Sequence, residues 1–486
     1  MPTLINKTIH GLSWNFKSQL IAQVINFLVA FLLMRWLAPE DFGKFAMVFV
    51  IVKFLQIIRG VGFTVAIIQK KTLNDSDLST AFWFQIFLAG SISIALFCSG
   101  SFFNTIYEET VLNQISFWFG IDFIIGSFGL VPTALLRKEL HFKTLFKINT
   151  AAILISSCCG IGMALNGMGY LSLIGKMLSW TLITSLGTFI FVKWKPQFLF
   201  SKKSLRNLLR LGLPDTGNYM LWYLSMNTDD FFIGRIIGAT SLGFYNRAYT
   251  IMLLPLANVS LVLKDVLFSM WSKIQDDTQR INRMYLKVSG IIALITSPSM
   301  VFLALFSEPI ITILFGIKWL PMATTLSILS VIGIFQSVNS LLGIIFIVFD
   351  KNQLAFKINL VASGSTIILI IWSIYTFKSI EVTALVFGIA SFIRLFPTYY
   401  FAGKIMSLSP KELISPLFYP LLFSSITGMI GFFIFQLLPF DSNFLKLFVV
   451  LPLSFFLYFI CCKTFKIEPL INFLKAINSY HAEIRK

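Results

Sequence analysis

The sequence predicts an all-α integral membrane protein: about fourteen transmembrane helices, forming two parallel six-helix lobes around a central cavity plus two additional C-terminal helices. Three observations predict it. Hydrophobic residues make up 57% of the 486-residue chain and charged residues only 12%, whereas a soluble domain carries about 25% charged residues. Apolar runs of about 20 residues, the length that crosses a bilayer as a helix, succeed one another with short polar breaks. The second half of the chain also repeats a pattern of the first at a fixed offset. So little charge cannot cover two or three soluble domains. Lipid removes that need, so long as every backbone polar group is bonded within its own helix.

The first six spans centre on residues 12–34, 43–66, 79–102, 111–134, 146–166 and 168–192, giving an N-terminal lobe over 1–192. The apolar pattern then stops. Residues 193–210 hold Lys193, Lys195, Lys202, Lys203, Arg206 and Arg210 and read as a basic cytoplasmic linker. A second set at 211–234, 242–263, 284–306, 321–348, 354–376 and 379–401 gives a C-terminal lobe over 211–403. Two additional spans, 414–438 and 443–462, lie within 404–462. The cytoplasmic tail 463–486 is polar and basic and reads as a short helix at the membrane surface. No loop is long enough to hold a soluble catalytic domain. The first apolar run is too long for a cleavable signal peptide and has no small-residue cleavage site behind it.

The net charge is +18. Nucleic-acid binding would need these cations clustered on a polar domain, and instead most sit in short loops on the side of the N-terminus. The opposite loops carry Glu40, Asp41, Glu108, Glu109, Glu308 and Asp441. An excess of Lys and Arg marks the cytoplasmic side, so both termini are expected there. Cys98, Cys158, Cys159, Cys461 and Cys462 fall within or at the ends of apolar segments, without the spacing of a zinc site, and read as packing residues. His10, His141 and His481 lie at loops or termini. No metal site and no cofactor are expected.

The internal repeat pairs Arg35-Trp-Leu-Ala-Pro-Glu-Asp-Phe-Gly43 with Arg235-Ile-Ile-Gly-Ala-Thr-Ser-Leu-Gly243, 200 residues apart. Each segment ends one helix and opens the next. Helices one and seven both start on the cytoplasmic side, so the halves are parallel repeats, an arrangement of two lobes about an axis along the membrane normal.

At these residues the chain resembles the polysaccharide transporter family of the multidrug, oligosaccharidyl-lipid and polysaccharide flippase superfamily. Leu37-Ala-Pro-Glu-Asp-Phe-Gly43 is similar to that family's turn between the first two helices. Pro132 to Phe142 is similar to its basic loop after helix four. Asp229 to Gly238, followed by Leu242 to Ala248, is similar to its seventh helix and turn. Ser307-Glu-Pro through Trp319 is similar to its loop after helix nine. The likeness covers about residues 5 to 400. One departure is visible: where the family usually has proline, after Leu267-Phe268, this chain has Ser269. The resemblance implies alternating access and an undecaprenyl-diphosphate-linked oligosaccharide as cargo.

Polar residues inside spans are informative, because a charge at mid-bilayer costs about 2.5–3.5 kcal/mol. On helix one, Asn15, Gln19, Gln23 and Asn26 recur at helical spacing. On helix seven, Asp215, Asn218 and Trp222 form a second stripe. These read either as two walls of a wet cleft or as interhelical hydrogen bonds that hold the bundle together. Lys53 and Arg394 lie deepest among the cations and are the first candidates for the diphosphate headgroup, with a salt bridge to a helix acid as the alternative. Arg59 and Lys17 lie nearer the cytoplasmic ends of helices two and one and either line the cavity or orient those ends. Asp122 and Asp229 are candidates for coupling to an H⁺ or Na⁺ gradient, with a structural pair to Arg235 as the alternative for Asp229. Tyr219, Trp222 and Tyr223 are placed to stack on sugar faces.

The expected function is thus a flippase that moves a lipid-linked oligosaccharide from the cytoplasmic to the outer leaflet of the bacterial inner membrane. Capsule, exopolysaccharide or O-antigen synthesis would be served by it. Its partners would be the lipid-linked oligosaccharide, membrane lipids, and polymerase and assembly proteins. Two other classes stay open: a small-molecule or drug antiporter of the same superfamily, and a membrane polysaccharide polymerase. The antiporter would want an acidic or aromatic pocket, against which Lys53 and Arg394 weigh. The polymerase would want paired catalytic carboxylates or a donor-binding loop, and neither is visible in the sequence.

Overall fold

A computed structural model describes residues 21–472 except 61, 71, 257–266 and 269. Within it, the side chains of residues 211, 212, 214, 215, 218, 221, 222, 225, 340 and 352 lie outside the description. Every regular element among the described residues is helical. Eleven helical segments there are long and apolar enough to cross a membrane. They correspond to eleven of the expected spans. The other three are those at 12–34, 211–234 and 242–263. The first and third run into residues outside the description. The second is the inner part of a longer helix that carries Asn227, Asp229 and Asp230. The protein is a multi-pass membrane protein.

The chain divides into two compact units, Met1–Gly243 and Phe244–Lys486. The first contains α1 (Ile21–Trp36), α2 (Pro39–Gly60), α3 (Phe63–Gln69), α4 (Asp75–Cys98), α5 (Gly100–Tyr107), α6 (Leu112–Lys138), α7 (Phe142–Leu165), α8 (Leu171–Phe191) and α9 (Lys202–Ile236). Helix α10 (Ala239–Leu256) begins in this unit. In its core α4 packs on α6, α6 on α8, and α8 on α7, while α9 lies against α2 and α3. Fully buried Phe63, Ala66 and Ile67 of α3 join Ala81 of α4, Val131 and Ala134 of α6, and Leu208 of α9 in one apolar cluster.

Local chemistry sets the helix ends. Proline opens α2, where its missing N–H costs nothing. Asn74 and Asp77 form a reciprocal capping box that starts α4 ahead of the expected span, and the Lys70 ammonium lies 2.5 Å from the same Asp77 carboxylate. Ser201 accepts the Ser204 amide, so α9 starts at Lys202 rather than near 211. Expected span two is broken: α2 stops at Gly60, and Gly62 at φ 63° opens α3. A left-handed residue is cheap only for glycine. The short helix α3 is then held from below. Lys138, at the end of α6, donates to the carbonyls of Ile67, Ile68 and Lys70. These are carbonyls that a helix end leaves without partners.

The repeated Gly43 and Gly243 meet each other's segment. A Cβ on Gly43 would collide with the Ala239 carbonyl, and one on Gly243 with the Pro39 carbonyl. The shared glycine of the repeat therefore answers to a reciprocal backbone crossing at the starts of α2 and α10. Asp41 ties the same turn to α8, its carboxylate accepting the Tyr170 amide at 3.0 Å and the Ala38 amide at 2.9 Å.

The second unit holds the rest of α10, then α11 (Thr278–Leu305), α12 (Ser307–Leu314), α13 (Ala323–Val348), α14 (Asn352–Phe377), α15 (Ile380–Met406), α16 (Pro410–Leu437) and α17 (Asn443–Thr464). Helix α11 packs on α13 and α16, α15 on α13 and α14, and α16 on α17. Asp277 caps α11 and Ser409 with Glu412 boxes the start of α16. Ser269 lies outside the described residues.

Candidate functional site

In the first unit, three of the expected residues come together at the seam of α2 and α6. Both helices carry aromatic residues there: Phe45 and Phe49 pack on Phe119 with ring centroids 5.3 and 6.1 Å apart. Past those rings lies Lys53, near the middle of the span Pro39–Gln69. Its ammonium stands 5.9 Å from the Phe49 ring and is only partly buried. Among the described residues it makes no ion pair or hydrogen bond. No salt bridge to it forms among the described residues, and Asp122 and Arg59 act on it at longer range.

Arg59 is held differently. Its Nη1 donates to the Phe123 carbonyl at 3.2 Å, and its guanidinium carbon lies 5.0 Å from the Phe123 ring. Gly126 makes room for it, since a Cβ there would stand 2.8 Å from Nη1 and 3.3 Å from the Thr181 methyl. Asp122 is 3% exposed, with the Thr181 side chain of α8 beside its carboxyl and Arg59 and Lys53 in electrostatic reach. Asp122 Oδ1 and Arg59 Nε are both buried without a hydrogen-bond partner. Among the described residues the cluster thus has a clamped cation, a buried acid and one partly exposed ammonium with no bonded partner. Lys53 can donate three hydrogen bonds as a point charge.

The aromatic stripe of α9 divides. Tyr223, expected to stack on sugars, is buried instead, donates its hydroxyl to the Val50 carbonyl at 2.8 Å and packs near Phe54. Tyr219 is about half exposed. Asp229 is buried and accepts the Asp230 amide at 3.0 Å. Arg235 donates to the Thr105 carbonyl at 3.3 Å and lies 3.9 Å from the Glu108 carboxylate. Beside them burial pushes the Tyr107 hydroxyl, on the short helix α5, above its ordinary range, and Asp230 adds to the shift. On α1, Gln23 is partly buried and Asn26 exposed. Asn15, Lys17 and Gln19 lie outside the described residues, as do the side chains of Asn218 and Trp222.

Arg394 belongs to the second unit, near the middle of α15. It lines a cavity of about 380 Å³ together with Gln336 and Asn339 of α13 and Ser391 of α15. The sequence reading missed Thr181, Gly126, Gln336 and Asn339. Two carboxamides three residues apart in the otherwise apolar span 321–348 were the available signal for the last pair.

A family model described as polysaccharide biosynthesis protein matches residues 32–324. The chain is 26% identical over 359 residues to the lipopolysaccharide biosynthesis protein WzxC of Escherichia coli (strain K12), covering 74% of this chain and 73% of that one. It is 25% identical over 450 residues to the teichuronic acid biosynthesis protein TuaB of Bacillus subtilis (strain 168), covering 89% and 90%. Among solved structures its fold is similar to the lipid II flippase MurJ in an inward closed conformation, with a TM-score of 0.72 at 16% identity over 93% of this chain and 98% of that one.

Proposed function

We propose that this chain, which belongs to the polysaccharide biosynthesis protein family, is a flippase for a lipid-linked oligosaccharide. It is a transporter rather than an enzyme. The cargo's head, an oligosaccharide on a diphosphate, crosses from the cytoplasmic to the outer leaflet of the inner membrane by alternating access while its polyprenyl tail stays in lipid. Both termini are cytoplasmic, in keeping with the excess of Lys and Arg on that side. The polymer-forming enzymes that consume the product lie beyond the outer leaflet.

The observation that carries this reading is Lys53: an ammonium midway along a membrane span that has no ion pair or hydrogen bond among the described residues, near a second cation that is already clamped. A diphosphate must shed water to cross, and a charge-assisted bond to such an ammonium replaces part of that hydration. Arg394 is a second headgroup contact in the same sense. Asp122 is the group that couples transport to H⁺ or Na⁺, because it is buried next to the two cations and has an oxygen free to take a proton or ion. The polar residues of helices one and seven, Asn15, Gln19, Gln23, Asn26, Asn218 and Trp222, line the path, with Lys17 at its cytoplasmic mouth.

Reconstituted vesicles test this. A fluorescent polyprenyl-diphosphate oligosaccharide is expected to move between leaflets only when the protein is present, read by access of an external glycosidase. Vesicles that instead exchange small organic cations, with no movement of the glycolipid in any ion gradient, would make the protein an antiporter.

A further inference from the structure

The segment 192–201, between α8 and α9, is not helical, yet it is fastened along the start of α4. Gln197 and Ser201 donate their amides to Ser79 Oγ and Thr80 Oγ1 at 3.1 and 3.0 Å, and both of those hydroxyl residues are fully buried. Trp83 Nε1 donates to the Gln197 carbonyl at 2.8 Å. Trp194 packs edge-on to Phe82, with ring centroids 5.9 Å apart. Held in this way, the segment turns three successive apolar side chains outward: Phe198, Leu199 and Phe200 are 93, 44 and 55% exposed. The Phe198 ring lies nearly flat on Trp83, with centroids 5.1 Å apart and planes at 19°, so its outward pose is supported from behind.

The same segment and the first turns of α9 are basic. Lys193, Lys195, Lys202, Lys203 and Arg206 are all exposed. Residues 193–210 include no acid, and among the described residues none of these five side chains is in an ion pair. Asp77, whose carboxylate reaches the Ser204 side chain, is already bound to Lys70 at 2.5 Å.

The surroundings narrow what can cover such a patch. Helices α4 and α8 both have the length and hydropathy of membrane spans, so the segment that follows the end of one and lies along the start of the other is at the membrane surface. Its apolar residues come soon after Ile190 and Phe191, exposed at the end of α8. Three fixed apolar side chains are unfavourable in water, and five cations are costly in hydrocarbon. The headgroup layer offers acyl chains and phosphates within one side chain's length. A zwitterionic headgroup brings its own cation, whereas an acidic one leaves net charge for Lys and Arg to neutralise.

From this juxtaposition of a fixed apolar triplet and an acid-free cluster of cations, we propose that segment 192–201, with the first turns of α9, is a binding site for acidic phospholipid. Phe198, Leu199 and Phe200 enter the boundary between headgroups and acyl chains. The four lysines and Arg206 hold the lipid phosphates through charge-assisted hydrogen bonds. The bound lipid fixes the junction of α8, α4 and α9 at the membrane surface. The site shares no residue with the cationic cluster of α2 and α6 and owes nothing to the cargo.

The test uses the full chain, free of its native cysteines, in lipid nanodiscs with a fluorophore on Leu199→Cys. The quenchers are spin-labelled phosphatidylglycerol, spin-labelled phosphatidylcholine at the same mole fraction, and iodide in the water. Both lipids are expected to quench and iodide to have little effect, with phosphatidylglycerol about threefold or more the stronger. Added salt should erase that preference. Converting Lys193, Lys195, Lys202 and Lys203 together to Gln should bring phosphatidylglycerol down to the level of phosphatidylcholine. The salt titration acts on the unaltered cations, so it decides the matter even where the fourfold variant does not fold. Equal quenching by the two lipids overturns the proposal, as does a preference that survives salt. Quenching by iodide but by neither lipid would place the segment in water. Protection from all three quenchers would mean that protein covers it, and either result also overturns the proposal.

Discussion

Lys53 and Arg59 share a helix and a charge, yet their neighbours assign them different parts. Arg59 is bonded to the Phe123 carbonyl and lies beside Asp122; Lys53 has no bonded partner among the described residues. Arg59→Gln is therefore expected to destabilise the protein by about 1–3 kcal/mol, the usual cost of stranding buried polar groups. Adding Asp122→Asn should recover part of that loss, since the two sites are coupled. Thermal unfolding in detergent of the two single variants and the double variant reads the coupling, and strictly additive losses would break the link between the pair. Lys53→Gln should leave the unfolding temperature nearly unchanged, because it strands no bonded partner among the described residues, while slowing glycolipid movement about tenfold or more. The charges of this cluster were legible in the sequence, because any ion in an apolar span stands out. Thr181 and Gly126 were not, because small and hydroxyl residues are common at transmembrane helix contacts whether or not they touch an ion. Tyr223 misled for the opposite reason: an aromatic side chain with a polar tip serves equally as a sugar platform and as a buried rivet, and only the Val50 contact decides between them.

Among elements, the broken second span was the least legible. Residues 43–66 read as one apolar run, and Gly60 and Gly62 at the break do not stand out because glycine is frequent within membrane helices. Its consequence is a short helix, α3, fastened by Lys138 to the end of α6. Lys138→Met is expected to strip that fastening and cost about 1–3 kcal/mol. Faster hydrogen exchange of the amides at 63–70, with α4 and α6 unaffected, is the signature; uniform exchange across the unit would show that Lys138 is not a local anchor. The repeat of Arg35–Gly43 in Arg235–Gly243 was visible in the sequence, but its physical cause was not. The structure supplies it as the close crossing of two backbones. Gly43→Ala and Gly243→Ala should each be strongly destabilising, because the atoms met are backbone and cannot swing aside, whereas Gly60→Ala, which meets nothing within 4 Å, should be tolerated and slightly stabilising to the helix. Comparable yields of folded protein from all three variants would refute the crossing.

At the scale of the molecule, composition alone fixed the class. A chain with 12% charged residues and a net charge of +18 has few soluble options, and eleven of the expected spans have counterparts among the described helices. The positive loops also carry an orientation that can be measured. All five cysteines are free, so a cysteine-free background with single cysteines at Lys195 and at Glu308 should label from opposite sides of the membrane, Lys195 from the cytoplasm. Labelling of both from one side would reverse or break the topology. What neither composition nor helix count could supply is the cargo, which the family resemblance implies and the cations within the spans favour. The most direct measurement is the initial rate of glycolipid movement in vesicles holding equal amounts of the wild-type chain or the Lys53→Gln/Arg394→Gln variant, with both shown to be folded. Protein-dependent movement that falls about tenfold or more in the variant is the expected result, at least the loss expected of Lys53→Gln alone. Wild-type vesicles that move no glycolipid, or a variant that moves it as fast as the wild type, would contradict a cationic path for a lipid-linked diphosphate.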